Sequence, residues 1–386
     1  MWRLGILLLA TACGRYGFDD LPHSNPDAGT APGSPDAPDA PGPQLLACGS
    51  PSRFTIGTDQ QGFASIARDD GFAAFTSDTP GALWGWSFEL DGGTLVESAD
   101  DVQLGSGVSA QLGGAAVGDQ MVLASGLTAG GTQLSSLDAS LDVLGTPNML
   151  MNDTAATVPV ASSVGLLAFA STQGGVPAID VVGTDGMLVS GDVTIGSTGD
   201  MPSYVAAVAT TSGFALGYAD GTTGTAKLAT FDEHLDSLVA DTTIDAGSDM
   251  RLPWFAYSPS QNEFLVVWHQ KDVTNDDDVW GMIVDQTLTT VVAPFEIAPY
   301  STNAVAGADA TGFWVAYDTY DPAAMAPNKM AASRVTPSGE VTARPVTSSG
   351  GTPQSWALVE RDGQVVLTWT ESGGSGPNLY FDPMCS

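Results

Sequence analysis

The chain has 386 residues, of which 44 are acidic and 11 basic, so its formal net charge is −33. This charge excludes an ordinary nucleic-acid binder, because phosphate recognition needs a basic surface. Hydrophobic residues make up 43% of the chain, which excludes wholesale disorder. The 46 glycines and 24 prolines are typical of a protein built from strands and turns rather than helices.

The first residues have the pattern of an export signal. Arg3 precedes a short apolar run at 4–10, and small residues then lead to Cys13. A bilayer-spanning helix needs roughly 20 apolar residues, so this run is too short to be one. The segment resembles the lipobox of bacterial lipoproteins, although Ala10 stands where that family prefers Leu. The resemblance implies a signal peptide at 1–12 and lipidation of Cys13. An ordinary secretory signal is the alternative.

The segment that follows is rich in proline, aspartate and alanine. Residues 21–44 include seven prolines and cannot bury a core, so an extended, polyproline-like conformation is expected. We interpret 13–47 as a disordered stalk that carries the lipid and holds the domain away from the membrane. A docking site for a proline-recognising partner is the rival interpretation.

Beyond the stalk, one pattern is repeated at a nearly constant interval. A short apolar strand, ending in an aromatic residue in six of its seven copies, recurs with a mean period of 49 residues. The seven copies are GFAAF (71–75), QMVLA (120–124), GLLAF (165–169), GFALGY (213–218), EFLVVW (263–268), GFWVAY (312–317) and QVVLTW (364–369).

Each copy has the same neighbours along the chain. A run of small residues precedes the strand, and a further strand, a hairpin turn such as Asp91-Gly92 and a last strand follow it. Four short antiparallel strands in about 49 residues form one propeller blade. The sequence therefore predicts an all-β fold over 48–386, a seven-bladed β-propeller of four-stranded antiparallel blades. Tandem β-sandwiches, the main alternative, would not give so even a period.

The two ends of this domain predict how the ring closes. The seventh copy stops after its third strand, and the segment at 53–57 near the start of the domain has the pattern of the missing one. The N-terminal strand is therefore expected to complete the last blade. Cys48 and Cys385 lie beside these two strands, and in an exported protein such a pair is expected to form a disulfide.

The repeats resemble those of seven-bladed β-propeller proteins, and the whole chain resembles secreted propeller lipoproteins of myxobacteria and related bacteria. The resemblance is one of architecture, because the signatures of WD40, kelch and sialidase repeats are missing from the sequence. It implies a lipid-anchored protein of the cell envelope, held in a bilayer, expected to be the outer membrane, through its N-terminal lipid.

An acidic loop is the strongest candidate for a metal site. It lies between the predicted second and third strands of the fifth blade, and its carboxylates are ligands that Ca²⁺ accepts. The glycine and glutamate of an EF-hand are missing, so a solvated charged loop is the alternative. The candidate ligands are Asp272, Asp276, Asp277 and Asp278, and Asp220, Asp318 and Asp321 stand in or beside corresponding loops of the fourth and sixth blades.

No set of residues in the sequence has the pattern of a catalytic site. The chain has three histidines, of which His269 is expected to be a half-exposed residue at the end of a strand. Trp84 and Trp280 occupy equivalent positions in the predicted third strands, which favours packing between blades over a sugar-stacking platform. We therefore expect no enzyme activity and no cofactor, with Ca²⁺ as the one candidate ion.

These observations predict a non-catalytic binding or scaffold protein of the envelope, with a monomeric propeller and with envelope proteins or glycans as partners. One alternative is a calcium- or glycan-binding, lectin-like propeller. Another is a hydrolase or lyase with carboxylates gathered at the propeller axis, which a channel lined by small apolar residues would contradict.

Overall fold

The structure is a computed structural model, and its described residues all belong to one compact unit, Pro43–Ser386. The expected signal peptide, Cys13 and most of the expected stalk lie outside the described residues. The structure describes residues 45–385 except for 57–61, 79–80, 118–119, 151–153, 156–159, 162–164, 174, 197–203, 245–250, 272–276, 321–328, 347–350 and 373–376.

The described residues form short strands that alternate with turns. The strands of the first half are β1 (Ser52–Thr55), β2 (Gly62–Ala67), β3 (Gly71–Ser77), β4 (Leu83–Asp91), β5 (Thr94–Gly105), β6 (Val108–Val117), β7 (Gln120–Leu127), β8 (Thr132–Leu137), β9 (Asn148–Leu150), β10 (Thr154–Ala155), β11 (Val160–Ala161), β12 (Leu167–Gln173), β13 (Val176–Val182) and β14 (Leu188–Thr194). Those of the second half are β15 (Tyr204–Thr210), β16 (Gly213–Asp220), β17 (Thr225–Asp232), β18 (Ser237–Ile244), β19 (Arg251–Ser258), β20 (Glu263–Lys271), β21 (Asp277–Asp285), β22 (Thr290–Ala298), β23 (Ser301–Asp309), β24 (Gly312–Thr319), β25 (Lys329–Val335), β26 (Val341–Pro345), β27 (Thr352–Arg361), β28 (Gln364–Ser372) and β29 (Asn378–Pro383).

These strands build seven antiparallel blades in a ring, a β-propeller. Consecutive strands are neighbours within each blade, in the orders β2 to β5, β6 to β9, β15 to β18, β19 to β22 and β23 to β26. In the third blade, both β10 and β11 pair with β12, so two short segments share the place of the first strand. The seventh blade consists of β27, β28 and β29 with β1 at its edge.

The core of the propeller lies between the blades. The second strand of a blade is covered on both faces by neighbouring blades, which explains why every residue of β3 and β16 is buried. The described buried apolar residues fall into seven clusters, and each cluster joins two adjacent blades around the ring. Each 49-residue repeat in the sequence therefore supplies one blade, and its apolar residues fill the space between that blade and its neighbours.

The ring is closed in the way that the sequence predicts. β1 pairs with β29 in antiparallel register from Ser52 opposite Phe381 to Thr55 opposite Asn378. A disulfide joins Cys48 to Cys385, with the two Cα atoms 6.1 Å apart. The strand that precedes the first blade thus completes the last one.

No helix among the described residues has the length and apolar character that a membrane-spanning helix needs.

Candidate functional site

The first strands of the blades form the wall of a central channel. Each of them pairs with its own blade on one side only, as the edge strand of its sheet. Adjacent first strands also contact one another around the ring, for example β19 with β23 and β2 with β27. Seven strands that converge on one axis leave little room, so small side chains are needed where they meet.

A cavity of about 700 Å³ opens into this channel. Its volume falls within the range of about 300–1,000 Å³ that is typical of small-molecule sites. Between its ends the wall is apolar and formed mainly by small side chains from the first strands of the fourth to seventh blades. These wall residues are Ala206, Ala207, Val208, Ala209, Trp254, Phe255, Ala256, Ala306, Gly307, Ala308 and Leu358.

One end of the cavity is open to solvent where the first strands turn into the second strands. We call the exposed turns at this end the hairpin rim; it includes Thr211, Ser260 and Ala310 of this cavity, and Asp69 and Asp362 of a smaller cavity beside it. The Ser260 hydroxyl donates to the carbonyl of Ala310 at 2.7 Å, which joins the fifth and sixth blades. The rim is therefore held together by bonds between blades.

Aromatic side chains stiffen the apolar wall below the rim. The indole Nε1 of Trp254 donates to the carbonyl of Ala306 in the next blade at 3.1 Å. The hydroxyl of Tyr257 lies 2.9 Å from the hydroxyl of Thr211 and donates to Asn262 at 2.9 Å. These bonds fix the position of two aromatic rings beside the cavity, so the wall is preorganised.

A second cavity of about 420 Å³ lies on the side of the first, second and seventh blades. Ala209, Leu358 and Glu360 line both cavities, so the two spaces adjoin. The smaller cavity is also lined by two buried arginines, Arg68 and Arg361. It is the more polar of the two.

Both arginines bind groups of the protein itself. Arg361 donates from Nε to the carbonyl of Arg68 at 2.7 Å and from its terminal nitrogen to the carbonyl of Asp69. Arg68 donates to the carbonyls of Ala139 and Phe88 at 3.1 and 3.3 Å. Their positive charges hold the hairpin rim together instead of neutralising every carboxylate there.

Asp309 lines the larger cavity and is bound tightly to its own blade. Its carboxylate accepts two hydrogen bonds from Arg334, at 2.7 and 3.2 Å, and one from the indole of Trp314 at 2.9 Å. Burial alone would raise the pKa of Asp309, but hydrogen bonds led by that from Arg334 outweigh burial and lower the pKa to about 2. Asp309 is therefore ionised and paired at neutral pH.

The acidic loop of the fifth blade is described only in part. Asp272 and Asp276 lie outside the described residues, as does Asp321, whereas Asp277 and Asp278 begin β21. Asp278 is buried and accepts a hydrogen bond from the backbone of Tyr300 at 2.9 Å. The calcium site stays a prediction.

The two other aspartates named with that loop bind side chains and amides of their own blades. Asp220 forms an ion pair with Lys227 at 3.2 Å, and Asp318 accepts a hydrogen bond from the hydroxyl of Thr302 at 2.6 Å. Burial alone would raise the pKa of Asp220, but hydrogen bonds, led by the one from the Thr222 amide, outweigh burial, so the pKa is lowered. No group of three or more His, Cys, Asp or Glu side chains that could hold a metal ion occurs among the residues that the structure describes.

The expectation for His269 was wrong in its burial. The imidazole is only 5% exposed, and its Nε2 accepts a hydrogen bond from the backbone amide of Ala304 at 3.0 Å. Because β23 of the next blade packs against the end of β20, this position is covered. His269 connects two blades, a role that needs the packing of neighbouring blades and is not visible in the sequence of one strand.

The tryptophans behave as the repeat pattern predicts. Trp84 packs in the cluster between the seventh and first blades, and Trp280 packs in that between the fourth and fifth. Trp314 is 2% exposed and lies in the core. For Trp84 and Trp280, the predicted packing between blades is confirmed over a sugar-stacking platform.

The sequence did not reveal the cavity, although a signal for it was present. Runs of small residues precede each repeated strand, as at 63–67 and 204–208, and these runs become the first strands around the channel. Below the hairpin rim, the larger cavity is lined mainly by apolar residues. Asp69, Asp309, Glu360 and Asp362 also line the two cavities, and the alternative with carboxylates gathered at the axis stays a prediction.

Comparison with known proteins shows the fold and no family. No family model matches the chain, and no curated protein matches it in sequence. The chain is similar to the Dos1 propeller, with a TM-score of 0.51 and 12% identity over 86% of this chain and 95% of that one. It is also similar to a protein of unknown function from Dyadobacter fermentans, with a TM-score of 0.50 and 11% identity over 76% of this chain and 98% of that one. At these identities the likeness establishes a β-propeller and carries no activity.

Proposed function

We propose that the chain is an exported, lipid-anchored binding protein of the cell envelope that takes a small ligand with an apolar body into its central cavity. The observation that carries this proposal is the cavity of about 700 Å³, open at the hairpin rim and walled by small apolar side chains. Such a space, mostly apolar with a few polar groups at its edge, is the usual form of a ligand site.

The small wall residues support binding rather than simple packing. Ala209 and Ala308 are half-buried and pair in register with Phe214 and Phe313 of their own second strands, which are fully buried. The second strands therefore fill the gaps between blades with large rings, while the first strands leave open the space at the axis. The bonds of Trp254 and Tyr257 keep that space in one shape, which lowers the cost of ordering a site on binding.

The cellular place of the protein is supported by its N-terminus and its disulfide. The segment that leads to Cys13 resembles a lipobox, and a Cys48–Cys385 disulfide persists in an oxidising compartment such as the periplasm. Full-length protein produced in a bacterium with the lipoprotein pathway is expected to incorporate labelled palmitate, and the Cys13→Ser variant is expected to lose the label. Equal labelling of both would refute lipidation at Cys13.

Binding in the cavity is tested with a neutral apolar fluorescent probe, phenylnaphthylamine, and with the chain carrying Cys13→Ser so that no lipid competes. The probe is expected to bind at one site and to accept energy from Trp254, which lies in the cavity wall. Ala209→Phe and Ala308→Phe fill the cavity and are expected to abolish this binding. Ala343→Phe, which places the same ring on an exposed position of β26, is the matched control.

Two results would overturn the cavity as the binding site. One is probe binding that survives both filling variants with unchanged affinity. The other is a complete lack of saturable binding in a protein whose circular dichroism and unfolding transition show that it is folded.

A further inference from the structure

We infer that the ligand of the cavity is a small amphipathic cation, with an apolar body and an ammonium or guanidinium head that lies at the hairpin rim. This inference rests on the proposed function and adds the chemical class of the ligand. Two observations support it: the apolar wall of the cavity, and the acidic residues that line the two adjoining cavities.

The charges at the rim do not cancel. Four carboxylates line the two adjoining cavities, and two of them have cationic partners: Asp309 with Arg334 at 2.7 Å and Asp362 with Arg361 at 3.5 Å. The other two carboxylates, on Asp69 and Glu360, have no ion pair among the described residues.

The two arginines of the smaller cavity do not reverse this balance. Arg68 is fully buried, with its guanidinium on backbone carbonyls and on Asp70 at 3.1 Å. Arg361 is buried and donates to the carbonyls of Arg68 and Asp69. Neither presents an exposed guanidinium, whereas Asp69 and Glu360 are exposed to solvent. An incoming charged group therefore meets carboxylates at the rim.

Glu360 occupies the position that such a head group needs. Glu360 lines both cavities, so this residue stands where the more apolar space of one meets the more polar space of the other. Its Oε1 accepts one hydrogen bond from the amide of Gly363 at 2.5 Å, which anchors the side chain at the rim. A cation at Glu360 would leave its apolar body against Leu358, Ala209 and the indole of Trp254, and an aromatic face adds a cation–π attraction for a nearby positive charge.

The net charge of the whole chain also favours a positively charged ligand. The chain carries 44 acidic and 11 basic residues, so its field attracts cations and repels anions before any contact is made. An anionic amphiphile of equal length would meet the same apolar wall but would place its charge beside Asp69 and Glu360. Discrimination by charge, with the apolar contacts held constant, is thus the expected property of the site.

The test compares three octyl compounds that share one chain and differ in head group: octyltrimethylammonium, octyl glucoside and octyl sulfate, each below its critical micelle concentration. Calorimetric titration of the chain carrying Cys13→Ser is expected to give at least about ten-fold tighter binding of the cation than of the anion, the glucoside lying between. Ala308→Phe is expected to remove binding of all three.

The charge contribution is assigned with matched variants. Glu360→Gln and Asp69→Asn are each expected to weaken binding of the cation by about three- to ten-fold and to leave the glucoside unchanged. Glu340→Gln removes the same charge from an exposed turn that lines neither cavity, and it is expected to change little.

The outcomes separate this inference from the function on which it rests. Equal affinity for the ammonium and the sulfate compound, or a loss in Glu340→Gln as large as that in Glu360→Gln, would overturn the cationic ligand while the binding cavity stands. Failure of the three octyl compounds and of phenylnaphthylamine to bind at all would overturn both.

Discussion

The disulfide between Cys48 and Cys385 closes nearly the whole propeller into one covalent loop, and its removal is the most informative perturbation of stability. The two cysteines are 337 positions apart in the sequence. For a loop of this length the chain-entropy relation gives a stabilisation of about 5 to 6 kcal/mol, because the cross-link restricts the unfolded chain. This is an upper figure, since residual structure in the unfolded state reduces it.

The folded ring has other contacts that hold its ends together. The four residue pairs between β1 and β29 remain without the disulfide. Gln364 still bonds both backbone groups of Leu46, at 2.9 and 3.0 Å, and Arg53 still donates to Asn378 at 3.1 Å. We therefore expect the Cys48→Ser, Cys385→Ser double variant to fold to the same ring and to lose about 3 to 5 kcal/mol of unfolding free energy.

The assay is equilibrium unfolding in urea, followed by tryptophan fluorescence and circular dichroism. The double variant and the reduced wild type are expected to unfold at the same, lower urea concentration, with a steeper dependence on denaturant because the unfolded chain exposes more surface. An unchanged midpoint would refute the reasoning, since it would mean that the cross-link does not restrict the unfolded chain. Loss of the native dichroism in the absence of urea would show that β1 cannot close the ring alone.

Three further predictions concern single contacts. The pKa of Asp309 is lowered to about 2 in the folded state. Its carboxylate therefore adds about 2 kcal/mol to the free energy of unfolding above pH ~4, and this contribution is lost as the pH falls toward 2. Urea midpoints measured over this range should fall for the wild type and stay flatter for Asp309→Asn. Gly217→Ala places a methyl carbon 2.3 Å from the ring of Phe255, which is too close for van der Waals contact. In urea unfolding this variant is expected to lose about 1–3 kcal/mol of unfolding free energy. An unchanged free energy would mean that the ring moves freely. His269→Ala leaves the amide of Ala304 without the acceptor that His269 provides, and it is expected to lower the unfolding free energy by about 1–3 kcal/mol. His269→Gln is expected to restore part of this loss. Equal losses in the two variants would argue against the hydrogen bond.

Much of the architecture follows from the sequence because a propeller repeats one interface. Each blade must present a buried second strand to two neighbours, so the same apolar pattern returns about every 49 residues. The closing strand and the Cys48–Cys385 pair are predictable for the same reason, since an incomplete last repeat needs a partner from the other end of the chain. Local patterns carry this information.

The cavity, the charge balance at its rim and the burial of His269 were decided only by the tertiary structure. The alanines that line the channel come from different blades, and nothing in one strand shows that Ala209 and Ala308 share an open space with Glu360. His269 is buried because the next blade covers it, and Asp309 is neutralised by Arg334 from another strand of its blade. A periodic pattern specifies which face of a strand is buried, whereas the free volume at the axis and the pairing of charges depend on how seven blades converge.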